Sequence, residues 1–339
     1  MYATVMHGPR DVRFEQVEDP KILKPTDAII QLAATCICGS DLWPYRGMSS
    51  QEGPVAMGHE YCGTVIEVGS EVKTLRPGQF VVGSFCLSDN TCPHCQFGFQ
   101  SSCVQREFML GAQAPYARVA LADGTLVATE HMPDADMIPH MLAVSDVLGT
   151  GWYAAVASGV RPGGTAVVVG DGAVGLMGVM AAKQLGAERI IAMSRHEPRQ
   201  KLALEFGATD IVAERGEDGI ARIMDLTDGV GAESVLECVG MAESMAQAQG
   251  VCRPGGTIGF VGVPHGVQFD GQQLFFKQQR MLGGPAPVRR FLPDLMARVL
   301  DRKIEPGKVF DLVLPLDQVA EGYKAMDERR AIKTMLTVS

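Results

Sequence analysis

A chain of 339 residues has the length of two domains of ordinary size. Its hydrophobic content of 46% and charged content of 20% are typical of a globular protein with a large core. The formal net charge of −9 argues against nucleic acid or an anionic membrane surface as the main partner. No secretory signal pattern opens the sequence, and no apolar run reaches the ~20 residues of a membrane span. We therefore expect a cytoplasmic protein, whose nine cysteines point to metal or redox chemistry before disulfides.

The first part of the chain predicts an irregular, mainly β domain. Short β-like runs are punctuated by Gly and Pro, and no long amphipathic helix appears before about residue 135. The predicted strands are residues 3–6, 11–14, 28–33, 61–68, 80–82 and 116–121. A helical pattern follows over residues 139–158.

From about residue 163 strand and helix patterns alternate. The predicted strands are residues 166–169, 189–193, 210–212, 234–238 and 257–261, with helices that include 175–185 and 198–206. This alternation predicts a parallel, doubly wound α/β sheet with right-handed crossovers. A predicted helix at 291–301 and predicted strands at 309–315 and 331–338 should return to the first domain. We therefore expect a mainly β domain at 1–145 and 288–339, and a doubly wound domain at 146–287.

A glycine-rich turn lies between the first strand and helix of the doubly wound pattern. Its sequence, GDGAVG at 170–175, fits G-x-G-x-x-G. The first glycine permits the turn, the second lets the backbone approach a pyrophosphate, and the third lets the helix pack on the strand. The helix N-terminus then offers N–H groups to the phosphates. We predict dinucleotide binding here rather than a purely structural turn, by residues Gly170, Gly172, Ala173, Val174 and Gly175.

Possible metal ligands occur in three separated motifs. These are Cys38-Gly39-Ser40-Asp41, Gly58-His59-Glu60 and Asp146, which precedes Thr150-Gly151. A thiolate, an imidazole and a carboxylate together suit zinc, and three protein ligands leave one position open for an alcohol or carbonyl oxygen. Spacing alone does not select this set, because Cys36 competes with Cys38 and a single histidine is more often structural.

A second metal site is predicted by spacing. Cys92-x-x-Cys95 forms a metal knuckle, and Cys103 lies one loop further along the chain. A fourth donor from Asp89, His94 or Ser88 would complete a closed, structural zinc site. The alternative is a redox pair of Cys92 and Cys95, but no βαβ pattern surrounds them.

Taken together, these motifs resemble those of the zinc-dependent medium-chain alcohol dehydrogenases over nearly the whole chain. The resemblance implies a doubly wound Rossmann cofactor domain and a mainly β, GroES-like catalytic domain. It implies Cys38, His59 and Asp146 as the catalytic zinc ligands, and Glu60 as a carboxylate that can approach the zinc. It also implies that Ser40 passes the alcohol proton toward a cofactor ribose hydroxyl.

Two positions depart from the common family pattern. The structural site usually has four cysteines, and the first of them aligns here with Asp89, which implies a Cys₃Asp site. A histidine that completes a proton relay in many members is replaced by Trp43.

The end of the second strand of the doubly wound domain indicates which cofactor binds. An NAD site would place an acid there to accept the ribose 2′-OH, whereas this chain has Ser194-Arg195. Arg195 and Ser194, assisted by Arg199, could instead hold the 2′-phosphate of NADP(H), although Arg195 could also be a solvated loop cation. This pattern resembles the NADP-dependent branch of the family. Further cofactor contacts are expected from Thr150, Cys238, Gly240, Gly262, Val263 and Lys333.

We therefore predict a zinc-dependent oxidoreductase that transfers hydride reversibly between NADP(H) and an alcohol/carbonyl pair. Trp43 and Trp152 follow predicted zinc ligands and should line an apolar pocket for apolar or aromatic aldehydes or ketones, unless both are ordinary core residues. The alternatives are a polyol or amino-alcohol dehydrogenase of the same family, and a non-catalytic NADPH-sensing protein. The family resemblance implies a homodimer or homotetramer.

Overall fold

Two units make up the chain in the computed structural model, which describes residues 1–49 and 53–338. Unit 1 consists of Met1–Asp146 with Pro287–Ser339, and unit 2 consists of Val147–Ala286. Within the described residues, no helix is both long enough and apolar enough to cross a membrane.

The first segment of unit 1 is mainly β structure. Its strands are β1 (Tyr2–Gly8), β2 (Asp11–Gln16), β3 (Ala28–Cys36), β4 (Val55–Ala56), β5 (Tyr61–Val68), β6 (Phe80–Gly83), β7 (Cys86–Leu87), β8 (Glu107–Phe108), β9 (Tyr116–Val119) and β10 (Leu126–Ala128). Its helices are α1 (Leu42–Tyr45), α2 (Pro93–Gln96), α3 (Ala122–Thr125) and α4 (Ile138–Val144). Short 3-10 helices occupy Gly39–Asp41, Gln100–Ser102 and Ala135–Met137.

Unit 2 alternates helices and strands. In chain order these are α5 (Val147–Ala157), β11 (Thr165–Val169), α6 (Ala173–Gln184), β12 (Arg189–Met193), α7 (Glu197–Phe206), β13 (Asp210–Val212), α8 (Gly216–Leu226), β14 (Ala232–Glu237), α9 (Ala242–Val251), β15 (Cys252–Phe260), α10 (Gly271–Lys277) and β16 (Arg280–Gly283). The sheet order is β13-β12-β11-β14-β15-β16, and all of the pairings are parallel. The predicted doubly wound sheet is therefore confirmed, with β16 as an additional edge strand.

The C-terminal segment completes the sheet of unit 1. It contains α11 (Val288–Leu300), β17 (Leu312–Pro315), α12 (Val319–Asp327) and β18 (Thr334–Thr337), with 3-10 turns at Pro306–Val309 and Leu316–Gln318. Strand β18 pairs antiparallel with β3 and parallel with β17, so the larger sheet runs β10-β6-β5-β3-β18-β17, with β9 also on β3. Helix α12 was not among the predicted elements, although its buried Val319, Tyr323 and Met326 recur at helical spacing.

The glycines of the turn after β11 meet different surroundings. Gly170 has φ +116°, a conformation that L side chains rarely adopt. A Cβ on Gly175 would lie 2.0 Å from the carbonyl oxygen of Gly170, whereas a Cβ on Gly172, the N-cap of α6, would meet nothing within 4 Å. The third glycine is thus required by packing, and the second leaves open space at the start of a helix.

This difference predicts stability losses of different size for two alanine substitutions. Gly175→Ala should lower the free energy of unfolding by about 2–3 kcal/mol, because the Gly170 backbone must move. Gly172→Ala should cost less than about 1 kcal/mol, since only helix capping changes. Urea denaturation followed by circular dichroism compares the two. Equal stability of the two variants would contradict the close packing at Gly175.

Candidate metal centres and cofactor site

Four donor side chains of unit 1 come together at one end of its larger sheet. Cys38, His59, Glu60 and Asp146 each offer one ligand atom, and these atoms all lie within 4.8 Å of one another. Cys38 follows β3, and His59 and Glu60 directly precede β5. Since β3 and β5 are antiparallel neighbours with Thr35 opposite Tyr61, the end of one strand lies beside the start of the other. Asp146 joins them from the segment after α4.

The His59 ring lies between two carboxylates. Its Nε2 is 3.4 Å from Asp146 Oδ2, and its Nδ1 is 3.5 Å from Asp41 Oδ1. The second oxygen of Asp41 accepts the backbone N–H of Cys38 at 3.0 Å. Cys38 Sγ is 3.8 Å from Asp146 Oδ2. Asp41 therefore orients the histidine and the cysteine turn together, as carboxylates behind metal-ligating histidines commonly do.

Asp41 was not among the predicted site residues. The signal for it was present in the motif, because an acid three residues after Cys38 can cap the turn that carries the thiolate. The motif did not reveal the contact between Asp41 and His59, because Asp41 follows β3 whereas His59 precedes β5.

The electrostatics of this donor group fit a divalent cation. Asp41, Glu60 and Asp146 are all buried. Burial raises the pKa of the Cys38 thiol, and the Glu60 carboxylate raises it further. Burial alone would lower the pKa of His59, but Asp41 and Cys38 hold it well above its usual range. Buried acids clustered in this way are costly without a positive charge, and the mixed sulfur, nitrogen and oxygen donors suit zinc.

Glu60 is held by a lysine from the C-terminal segment. Lys333 Nζ lies 2.6 Å from Glu60 Oε1 and 3.1 Å from the Ile37 carbonyl oxygen. Both side chains are fully buried, and Glu60 Oε2 has no hydrogen-bond partner within the described residues. The Lys333 amine, expected to reach the cofactor, is thus engaged by Glu60 and Ile37. The metal-approach role of Glu60 stays a prediction.

The remaining predicted residues near this group lie on short helices. Ser40 belongs to the 3-10 turn Gly39–Asp41, and Trp43 belongs to α1; both are partly exposed. Trp152 is buried in α5 of unit 2. The two tryptophans therefore belong to different units, and their shared pocket stays a prediction.

The second donor group gathers Asp89, Cys92, Cys95 and Cys103. The Sγ atoms of Cys92 and Cys95 are 3.6 Å apart, and those of Cys92 and Cys103 are 3.9 Å apart. Tetrahedral zinc with Zn–S bonds of about 2.3 Å places its sulfur atoms about 3.8 Å apart. All nine cysteines are free thiols. The geometry thus favours a metal knuckle over a Cys92–Cys95 redox pair.

Asp89 is the carboxylate of this group. Its Oδ1 accepts the backbone N–H groups of Thr91 and Cys92, and its Oδ2 accepts Gln105 Nε2 at 3.1 Å. Partial burial raises the pKa of Asp89, but these hydrogen bonds prevail and lower it to about 2, so the group is an anion at neutral pH. His94, an alternative fourth donor, instead contacts the Ser102 carbonyl oxygen through Nδ1 at 2.7 Å.

Most of the predicted cofactor residues of unit 2 lie at the carboxyl ends of its strands. The glycine-rich turn follows β11, Ser194 and Arg195 follow β12, and Cys238 follows β14. A Cβ on Gly240 would lie 2.1 Å from the Val263 carbonyl oxygen, so the loops after β14 and β15 are in close contact. The open space at Gly172 and the N-terminus of α6, which has no side-chain cap, fit a dinucleotide pyrophosphate. Thr150 lies buried in α5.

An acid that sequence reasoning missed lies within this group. The Ser194 hydroxyl donates a hydrogen bond to Asp171 Oδ2 at 2.8 Å, and Arg199 Nη1 lies 3.3 Å from Asp171 Oδ1. Arg195 is exposed. The residues at the end of β12 do not reveal this acid, because the carboxylate comes from the G-D-G sequence of the neighbouring turn.

Comparison with known proteins identifies relatives over the whole chain. The alcohol dehydrogenase GroES-like domain family matches residues 24–134, and the zinc-binding dehydrogenase family matches residues 173–299. Zinc-type alcohol dehydrogenase B of Aspergillus flavus is 32% identical, over 99% of this chain and 81% of that protein. The NADP-dependent isopropanol dehydrogenase of Thermoanaerobacter brockii is 34% identical, over 69% of this chain and 68% of that protein.

A solved structure extends the similarity to the fold. Alcohol dehydrogenase TADH from Thermus sp. ATN1 superposes with a TM-score of 0.91 at 30% identity, over the full length of both chains. The predicted GroES-like and doubly wound architecture is confirmed by these matches.

The two donor groups predict about two zinc ions per chain. Cys103→Ser should lower the zinc content to about one, because the second group loses a thiolate. The matched control Cys86→Ala changes a buried cysteine outside both groups and should keep both ions. Metal content is measured by mass spectrometry on protein dialysed against a weak chelator. An unchanged zinc content in Cys103→Ser would contradict the second site.

Proposed function

Because the chain belongs to the zinc-dependent medium-chain alcohol dehydrogenase family, we propose that it transfers hydride reversibly between NADP(H) and an alcohol/carbonyl pair. We take the carbonyl compound to be an apolar or aromatic aldehyde or ketone. The observation that carries the proposal is the buried donor group of Cys38, His59 and Asp146 with Glu60 beside it. A cytoplasmic location and an oligomeric state remain predictions.

Cys38, His59 and Asp146 would hold the zinc and leave one position for the substrate oxygen. When bound there, zinc supplies a Lewis acid that lowers the pKa of an alcohol or polarises a carbonyl. Asp41 keeps the His59 ring in one orientation, and its hydrogen bond to the Cys38 backbone fixes the thiolate turn. These contacts hold the ligand geometry before the substrate arrives, which keeps the reorganisation cost of the reaction low.

Proton movement in this proposal falls to Ser40. Its hydroxyl is two residues from Cys38 and partly exposed, and a hydroxyl can accept the alcohol proton while donating its own. The Glu60 carboxylate is tied by Lys333 through one oxygen only, which leaves Oε2 able to interact with the metal-binding group. Lys333 therefore acts here as a positioning residue.

The NADP(H) preference is supported by the residues that follow β12. No acid occupies position 194, and Arg195 presents an exposed guanidinium whose planar fork matches a phosphate. A relative of 34% identity, from Thermoanaerobacter brockii, is an NADP-dependent isopropanol dehydrogenase. The preference for apolar carbonyls is supported by Trp43, a partly exposed aromatic residue of α1, the helix that directly follows the Cys38 turn.

Loss of one thiolate should separate turnover from cofactor binding. Cys38→Ala should lower kcat by at least about 10³-fold, because the metal site loses a ligand, while the Kd for NADPH stays within about three-fold. Turnover is measured on a panel of ketones and aldehydes, and NADPH binding by titration calorimetry. Cys36→Ala, two residues away and outside the donor group, is the matched control and should retain activity.

Two outcomes would contradict this assignment. If Cys36→Ala loses turnover and Cys38→Ala retains it, the zinc ligand is Cys36 and not Cys38. A collapse of NADPH affinity in Cys38→Ala would show that the cysteine serves cofactor binding.

Charge reversal at Arg195 tests the cofactor preference. Arg195→Asp should weaken NADPH binding by at least about ten-fold and NADH binding by less than about three-fold, because only NADPH carries the 2′-phosphate. Lys201→Asp, an exposed charge reversal on the same helix–loop segment, is the control and should affect both cofactors little. Equal losses for NADPH and NADH in Arg195→Asp would refute the preference.

A further inference from the structure

We infer that Asp171 is a specificity-determining residue whose carboxylate occupies the donors that a 2′-phosphate would use, and so lowers the preference for NADP(H) over NAD(H). The inference rests on the proposed function, since it requires a dinucleotide at the Gly170–Gly175 turn. Nothing in the G-x-G-x-x-G pattern itself calls for an acid at its second position.

The topology of unit 2 places Asp171 beside the end of β12. Strands β11 and β12 are parallel neighbours, and their last residues, Val169 and Met193, are paired. The residues that follow each strand therefore leave the sheet side by side. From the turn, Asp171 Oδ2 accepts the Ser194 hydroxyl at 2.8 Å. Arg199, on α7, brings Nη1 to 3.3 Å from Oδ1 and 3.4 Å from the Asp171 carbonyl oxygen.

Ser194 and Arg199 thus form a sheltered anion-binding site that is filled by the Asp171 carboxylate. The side chains of Asp171 and Arg199 are each 14% exposed, and Ser194 is fully buried. Burial acts to raise the pKa of Asp171, but the Ser194 hydrogen bond and the nearby Arg199 and Arg215 cations keep it below its usual value. Asp171 is therefore an anion at neutral pH, and two of the three predicted phosphate contacts are already engaged.

This arrangement treats the two cofactors differently. In parallel dinucleotide sites, an acid at the end of the second strand accepts the adenosine ribose 2′-OH. Here Asp171 offers a carboxylate at the same strand end, although it comes from the first turn. A 2′-hydroxyl can donate to that carboxylate. A 2′-phosphate must instead displace it from Ser194 and Arg199 and also meets charge repulsion.

The opposing contribution comes from Arg195, which is exposed next to Ser194. The cofactor preference is then the difference between the attraction of Arg195 for the phosphate and the resistance of Asp171. An alternative is that Asp171 serves only to fix the turn. Asparagine distinguishes these roles, because its amide oxygen can still accept the Ser194 hydroxyl while the charge is removed.

The test measures Kd for NADPH and NADH by titration calorimetry on the full chain. In Asp171→Asn, the ratio of Kd(NADH) to Kd(NADPH) should rise by at least about ten-fold, because a like charge beside the phosphate has been removed. The matched control is Asp210→Asn. Asp210 also pairs with an arginine, Arg189, but it begins β13 and so lies at the opposite, amino edge of the sheet. The control ratio should not change.

An unchanged ratio in a folded Asp171→Asn overturns the inference. If that variant does not fold, Asp171→Ser provides the same comparison, and failure of both to fold assigns Asp171 to the turn structure and overturns it as well. The wild-type ratio tests the proposed NADP(H) preference separately. If the wild type prefers NADH and the ratio rises in Asp171→Asn, the NADP(H) preference is refuted and the inference about Asp171 is supported. If the wild type prefers NADPH and the ratio is unchanged in Asp171→Asn, the preference is supported and the inference is refuted.

Discussion

The antiparallel register of β3 with β5 and β18 is the constraint on which the candidate metal centre depends. Thr35 lies opposite Tyr61, and Cys36 lies opposite Met335. Donors from distant parts of the sequence therefore leave the sheet at one place: Cys38 after β3, His59 and Glu60 before β5, and Lys333 before β18. Because a shift by one residue would turn buried side chains to the other face, the register fixes which side chains meet there.

Acidic groups outnumber cationic ones at the place where these strand ends meet. Asp41, Asp146 and the Cys38 thiol surround a single imidazole, that of His59. Among the described residues, Glu60 forms an ion pair only with Lys333. A buried pair such as Glu60–Lys333 contributes little net stability once desolvation is counted, but removal of either partner would leave an uncompensated charge. The pair therefore serves to hold one carboxylate oxygen in place, and the remaining acidic group is left for a divalent cation to balance.

How far the sequence predicts the site depends on whether a feature has a local cause. The turn at Gly170–Gly175 and the Cys92–Cys95 knuckle follow from short-range rules, and the turn was predicted from strand and helix patterns alone. The grouping of Cys38, His59 and Asp146 required family resemblance, because no local rule joins residues so far apart. Asp41 and the Lys333–Glu60 contact depend on strand register, which composition does not encode. Strand β16 was missed because its sequence, RMLG, contains no β-branched or aromatic residue.

Asp171 illustrates the same limit in the cofactor site. The residues that follow β12 favour NADP(H), because Ser194 stands where an NAD site would have an acid. Because β11 and β12 are paired, the turn after β11 places the Asp171 carboxylate beside Ser194. An acid can thus be absent from the sequence position where it is expected and present at the site. Since specificity is a difference between two affinities, the roles we propose for the exposed Arg195 and the sheltered Asp171 act on it in opposite directions. The sheltered charge acts at lower effective dielectric, so a single carboxylate can offset much of what the more strongly screened arginine contributes.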